Sequence, residues 1–292
     1  MIRTWLRAIR LRFLLASVIA VSNGIALAFW KNKQIDLSDA VLTFVGVICL
    51  HASIDLLNDY WDYKRGIDTA TRRTKFSGGT GVLPENLLKP GNVYSVGLIF
   101  LLIGTLIGMY FVVIRGIMIS LLLGFAVLAV YFYSTSIVNL GLGEAFVAIK
   151  GTLIVVGSYY VQTSSIGVGV VYVGIIMGIL SASVLFVNSF PDYQADRSRG
   201  RRTLVILLGR QRAVKIFPWM ILCTYVLIIA GIFLGYLKIY SLASLLSAPF
   251  AVSAIKRISK SYQDVEKLVP VMGATVAYSR VTGVVLAASL FI

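Results

Sequence analysis

Nine stretches of about 17 to 25 mostly apolar residues recur along this chain, each broken by Gly, Pro or charge. They fall at 13–30, 40–58, 94–114, 117–135, 144–162, 166–189, 214–236, 239–255 and 271–292. A helix of about 20 such residues crosses the ~30 Å hydrocarbon core of a bilayer with its backbone hydrogen bonds satisfied internally, and lipid admits few alternatives. The composition agrees: 58% of residues are apolar, 13% are charged and the mean hydropathy is +0.88. The expected fold class is an all-α integral membrane protein with nine transmembrane helices in one domain, 1–292. The opening MIRTWLRAIRLR and the apolar run after it look like a signal peptide. The run is long, however, and further spans follow at once, so it reads as a retained first helix.

Charge placement tests the count, because cytoplasmic loops collect Lys and Arg. With the N-terminus in the cytoplasm, Arg3, Arg7, Arg10 and Arg12 and the basic residues of 58–93, 190–215 and 256–267 all lie inside, leaving Lys31, Lys33, Arg115 and Lys238 outside. Lys150 and Arg280 fall within expected spans. Lys150 is close enough to a helix end to snorkel, whereas Arg280 faces either a cavity or the interface. The formal charge of +15 follows mostly from this topology and from attraction to anionic lipid. No soluble basic face or reading motif supports nucleic-acid binding. Cys49 and Cys223 lie inside apolar runs, which leaves no disulfide framework and no Cys-based zinc site. The single His51 excludes a His-rich centre and reads as a polar side chain packed between helices.

The acids are the informative minority. Of twelve carboxylates, Asp59, Asp62 and Asp68 cluster at the end of the second span, and Asp192 and Asp196 at the end of the sixth. Four crossings separate those ends, so both clusters emerge on one membrane face. Asp55, Asn58, Asp59 and Asp62 have i, i+3, i+4 and i+7 spacing, which stacks them along a continuing helix; Asn188, Asp192 and Asp196 repeat every four residues and are expected to do the same. The shared element Asn-x-x-x-Asp hints at an internal duplication.

Carboxylates crowded beside lipid repel one another and need cations. Oxygen ligands without His or Cys select hard ions, and Mg²⁺ characteristically takes one or two carboxylates together with substrate phosphate oxygens. Interleaved basic residues, Lys64, Arg65, Arg72, Arg73 and Lys75 in one loop and Arg197, Arg199, Arg201 and Arg202 in the other, suit a diphosphate. A solvated helix end laced with Asp–Arg pairs explains one such cluster as well, but explains two matching clusters on one face poorly. The run SGGTG at 77–81 can cradle phosphate with backbone N–H groups, although it lacks a Walker lysine and strand context.

NDYWDYKRGID, residues 58–68, resembles the first aspartate-rich motif of the UbiA prenyltransferase family, and NSFPDYQADRSRGRRTL, residues 188–204, resembles the second. Within the family, Gly66 and Asp68 followed by SGGTGVL, with YSTSIVNLGLGE at 133–144 and VGSYYVQT at 156–163, are similar to the menaquinone branch, the 1,4-dihydroxy-2-naphthoate polyprenyltransferases. One departure is plain: the family's lysine a few residues after the tyrosine of the fourth-helix loop has no counterpart beside Tyr133.

The resemblance implies a helical bundle around a central cavity that opens sideways to lipid, capped by two cytoplasmic aspartate-rich loops, in a multi-pass protein of the cell membrane. It implies that Asn58, Asp62, Asn188, Asp192 and Asp196 hold Mg²⁺ against a prenyl diphosphate, with Asp59 and Asp68 as ligands or supporting acids. Arg10, Arg72 and Lys75 would neutralise the leaving diphosphate, and Tyr133 and Ser134 would line the cavity near it. Asp62, Asp192, Asp196 and Tyr133 are then the candidate catalytic residues. The allylic C–O bond ionises and an aromatic acceptor, 1,4-dihydroxy-2-naphthoate, attacks the cation. Two alternatives stand beside this one: geranylgeranyl transfer to a glyceryl phosphate ether precursor, and a cation or metabolite transporter. Transporters place their ion sites near the midplane in broken helices, whereas these acids sit at helix ends.

Overall fold

In the computed structural model of the chain, the described residues are 1–133 and 135–292, the side chains of Ala70, Ile137 and Val138 excepted. Every regular element among them is helical. In chain order these are α1 (Ile2–Ala8), α2 (Leu11–Asn32), α3 (Leu37–Lys64), α4 (Ile67–Ala70), α5 (Pro90–Arg115), α6 (Ile117–Phe132), α7 (Gly143–Thr163), α8 (Val168–Asn188), α9 (Tyr193–Ser198), α10 (Leu204–Leu208), α11 (Arg210–Phe233), α12 (Ala248–Ser261) and α13 (Val265–Phe291). A 3₁₀ segment, Ile239–Ser247, runs directly into α12.

Eight helices among the described residues are long and apolar enough to cross a bilayer: α2, α3, α5, α7, α8, α11, α13 and the composite Ile239–Ser261. The fourth expected span, 117–135, is α6. Its 16 residues rise ~24 Å, short of the ~30 Å hydrocarbon core. It nevertheless connects the two ends of the bundle. At its start, Arg115 donates to Asp39 at 2.7 Å and the Tyr160 hydroxyl donates to the Arg115 carbonyl at 3.3 Å. At its finish, Tyr133 lies among the carboxylates of the opposite end.

Local chemistry sets the helix limits. Asp36 caps α3 by accepting the Asp39 N–H at 3.0 Å, Pro90 opens α5, and Gly116, with φ of 83°, separates α5 from α6. The first acidic motif lies on α3 as far as Lys64, so Asn58 and Asp62 do share a helical face, while Asp68 falls on α4 beyond a left-handed Gly66. The second motif departs from the expected continuous helix. α8 stops at Asn188, four residues around Pro191 form turns, and α9 starts at Tyr193. A proline disfavours the α conformation of its predecessor and removes an N–H, and here the helix stops before it. Asn188, Asp192 and Asp196 still point into one cavity, but through a bend rather than a stripe.

Lipid supplies little hydrophobic drive between helices, so close approach depends on small residues. A Cβ on Gly178 of α8 would run into the Ala148 carbonyl oxygen of α7, and one on Gly24 of α2 would stand 2.5 Å from the Val155 carbonyl oxygen. On α5, Ile99, Leu102, Leu106, Met109 and Val113 are exposed at three- and four-residue intervals. Such a stripe is a lipid-facing surface.

Candidate active site

The site forms where the end of α3 meets the bend after α8. Asn58 Nδ2 donates to Asp62 Oδ2 at 2.9 Å, one helical turn apart. Arg201, just before α10, reaches across to the same oxygen at 2.7 Å and stands 3.7 Å from Asp196 Oδ1. Its side chain is only 14% exposed. Burial opposes the charge on this guanidinium, but Asp62 and Asp196 outweigh burial and hold it protonated, raising its pKa above the usual arginine value.

The loop after α4 folds over this group. Gly78, Gly79 and Gly81 all have positive φ, which lets the backbone turn inward. The Gly78 N–H donates to Asp192 Oδ2 at 3.2 Å, and a Cβ on Gly79 would lie 2.6 Å from both Asp68 carboxylate oxygens. Thr80 donates to Asp59 through its hydroxyl and, at 3.3 Å, its N–H. From outside, Arg7 holds Glu85 through two hydrogen bonds of 2.8 and 2.9 Å, and Arg73 joins the same carboxylate. Those arginines lower the Glu85 pKa to about 2.

Desolvation dominates the acids beneath. It raises Asp68 to about 8, with the charges of Asp59 and Asp62 adding to it. Asp192 rises to about 7, through burial and then the charge of Asp196; Asp196 rises to about 6, chiefly through burial. Asp62 Oδ1, Asn188 Oδ1, Asp192 Oδ1 and Asp196 Oδ1 are buried without a hydrogen-bond partner. Four orphaned oxygens with no nitrogen or sulfur donor among them fit a hard cation. Among the described residues no three His, Cys or carboxylate side chains are gathered closely enough to hold a metal ion by themselves, so an ion here would need further ligands, such as phosphate oxygens.

Below the carboxylates lies a cavity of about 250 Å³, lined by Asn58, Asp62, Asp68, Asn188, Asp192 and Asp196, by Arg10 and Arg201, and by Tyr133 and Phe146. The Tyr133 and Phe146 rings are 5.3 Å apart between centroids. A second, almost wholly apolar chamber of about 160 Å³ adjoins it between α3, α5, α6 and α7.

The expected residues do not all converge. Asp59 is buried but does not line the cavity; it is spent on Arg10 and Thr80. Arg10, in the left-handed conformation between α1 and α2, both holds Asp59 and borders the cavity. Arg72 pairs with Glu266 on the exposed surface, and Lys75 is exposed with its ammonium 5.7 Å from the Phe76 ring centroid. Neither lines the cavity, because the glycine turns direct 77–79 inward and leave 72–75 outside. Ser134 lies outside the described residues.

Conversely, Lys150 does not snorkel: it lines both chambers. Arg280 borders the cavity as well and donates to the Arg12 carbonyl at 2.5 Å. Arg201 was one basic residue among several in the sequence, with nothing to single it out. Lys150, a charge inside an apolar span, carried a signal that its nearness to a helix end obscured.

The family model described as the UbiA prenyltransferase family matches residues 16–290. A 1,4-dihydroxy-2-naphthoate octaprenyltransferase of Bacillus subtilis is 27% identical over 248 residues, 83% of this chain and 78% of the relative. One from Haemophilus influenzae is 30% identical over 215 residues, 71% and 70% of the two chains. A solved structure of a UbiA homolog from Archaeoglobus fulgidus bound to GPP and Mg²⁺ superposes with a TM-score of 0.68 at 16% identity, covering 98% of this chain and 99% of that one.

Proposed function

Because the chain belongs to the UbiA prenyltransferase family and is a membrane-embedded prenyltransferase, we propose that it uses Mg²⁺ and transfers its prenyl group to 1,4-dihydroxy-2-naphthoate. Naphthoate prenyltransferases among its relatives support the acceptor. The observation that carries the donor half is the set of orphaned oxygens on Asn188, Asp62, Asp192 and Asp196, roofed by backbone N–H groups and floored by an apolar chamber. In this reading the oxygens would take the ion, the loop above them would meet the diphosphate and the apolar chamber below would receive the isoprenoid tail. The whole chain acts as one domain with α6 as a ninth crossing, its N-terminus and both motifs facing the cytoplasm across the cell membrane.

In this reading Asn58, Asp62, Asn188, Asp192 and Asp196 hold Mg²⁺, with Asp68 beside them. When bound, the ion supplies Lewis-acid charge to the diphosphate oxygens. Arg201 and Arg10 bring positive charge to the cavity rim, where negative charge grows as the leaving group departs. The faces of Tyr133 and Phe146 flank the space below and favour an allylic cation over water. The glycine turns of 77–81 close the rim and keep that water out.

Incubating the purified protein with a labelled prenyl diphosphate, Mg²⁺ and either 1,4-dihydroxy-2-naphthoate or a glyceryl phosphate ether precursor tests the reading. A labelled prenyl-naphthoquinol product and no labelled ether are expected; the reverse result would replace the acceptor and keep the donor chemistry.

A further inference from the structure

Ser17 of α2, His51 and Asp55 of α3 and Lys150 of α7 meet within the bundle. Ser17 Oγ and His51 Nδ1 are 2.7 Å apart, and His51 Nε2 lies 3.8 Å from Asp55 Oδ2. That Asp55 oxygen is buried with no hydrogen-bond partner. Lys150 and Asp55 attract one another electrostatically across the cavity, yet among the described residues no hydrogen bond or close ion pair joins them. Along α3, Asp55 lies ~4.5 Å and His51 ~10 Å deeper than Asn58. Ser17, His51 and Lys150 line both chambers, so the group forms the waist between them.

A lysine and an aspartate held inside a bilayer without direct bonding are expensive to desolvate. The diphosphate does not explain them, since its own ligands sit above. A prenyl tail passing this waist to the apolar chamber does not explain them either, since it needs only the apolar side of the passage, which Ile54 and Ile154 supply. What must reach this level is the nucleophilic carbon of the acceptor, which has to come within ~3.5 Å of the carbon bonded to the leaving diphosphate. Ile54 and Phe146, present at the same waist, offer apolar surface for a flat ring.

We propose that Lys150 and Asp55, with His51 and Ser17 behind them, form the subsite that orients an acidic, hydroxylated aromatic acceptor. Lys150 pairs with the anionic substituent, and Asp55 Oδ2 accepts the neighbouring hydroxyl hydrogen. The proposal rests on the reading that the acceptor is aromatic and adds the residues that choose it. It also gives a charged acceptor a reason to enter a hydrocarbon-level cavity, because the fixed ammonium replaces the hydration it loses.

The test uses two stable probes, 1-hydroxy-2-naphthoate and 1-naphthol, which differ by the carboxylate, with the full-length protein in detergent. The wild type is expected to bind the naphthoate at least about tenfold more tightly than the naphthol, as befits a charge-assisted hydrogen bond. Lys150→Met should abolish that preference and raise the acceptor KM, while Mg²⁺-dependent binding of labelled prenyl diphosphate is retained. If Lys150→Met fails to fold because Asp55 is left uncompensated, the neutral pair Asp55→Asn/Lys150→Met serves in its place. A preference that survives in either variant overturns the assignment of Lys150, and so does a wild type that binds both probes equally. A wild type that binds neither probe but prenylates glyceryl phosphate overturns the aromatic reading itself.

Discussion

At the scale of single residues, the site is built from groups that are costly unless something joins them. Asp62 and Asp192 each carry a buried oxygen with no partner. Replacing Asp192 by alanine removes a proposed metal ligand and relieves its repulsion with Asp196, whereas at Asp62 the isosteric asparagine is needed, because alanine there strands the buried Arg201. Asp62→Asn and Asp192→Ala should therefore insert and purify but lose Mg²⁺-dependent prenyl transfer by at least about a hundredfold, measured as initial rates; retained activity in either refutes the metal assignment. Arg201 works in the opposite sense, since removing one partner of a buried pair strands the others. Arg201→Ala should destabilise the ligand-free protein by about 3 kcal/mol, and added Mg²⁺ should restore much of the loss. Thermal unfolding in detergent with and without the ion checks this. The acids were legible in the sequence because carboxylates are rare in such a chain. Arg201 was not, because only the fold distinguishes it from Arg197, Arg199 and Arg202.

At the scale of elements, lipid made the spans readable: observed and expected limits differ mostly by a few residues, since hydrocarbon thickness fixes helix length from outside. The bend at Pro191 was missed because a four-residue repeat looks helical wherever it occurs, and only the proline argued against it. The loop over the site owes its path to glycines rather than to its lysine and arginine. Gly79→Ala imposes a left-handed strain and drives a methyl group into Asp68. It should cut prenyl transfer sharply and raise the Mg²⁺ concentration needed for half-maximal rate, in a kinetic titration of the variant. The same loop is held by Glu85, whose pKa is depressed to about 2 from an ordinary 4.5. A depressed carboxylate contributes stability that is complete above its unfolded pKa and disappears as pH falls through the folded one. Protease cleavage within 71–89 should therefore be low above pH ~4.5 and climb as the pH approaches ~2, with an acid-stable protease as the probe; Glu85→Gln should show the cleaved pattern already at neutral pH.

For the molecule as a whole, charge in the loops gives an expected orientation and the acids an expected functional end, both from residue order alone. That the two motifs touch required coordinates: Arg201 on Asp62 and Gly78 on Asp192 are contacts across more than 110 residues of chain. Orientation remains checkable in cells. In a background lacking Cys49 and Cys223, a cysteine at exposed Gly167 should react with a membrane-impermeant maleimide in intact cells, whereas one at exposed Ser198 should react only after permeabilisation. The inverse pattern would turn the bundle over and place the donor site outside.

The pairing of Arg201 with Asp62 makes the resting pocket an ion exchanger already loaded with its own counterion. A lone divalent cation must evict a tethered one and gain little, while a cation arriving with a diphosphate gives the evicted guanidinium a new anion to hold. Metal and donor should consequently enter as one cargo: Mg²⁺ alone scarcely shifts the melting temperature of the wild type, and Mg²⁺ with inorganic diphosphate shifts it strongly. On the proposed Mg²⁺ site, loading and release would then turn on Arg201 exchanging Asp62 for the diphosphate.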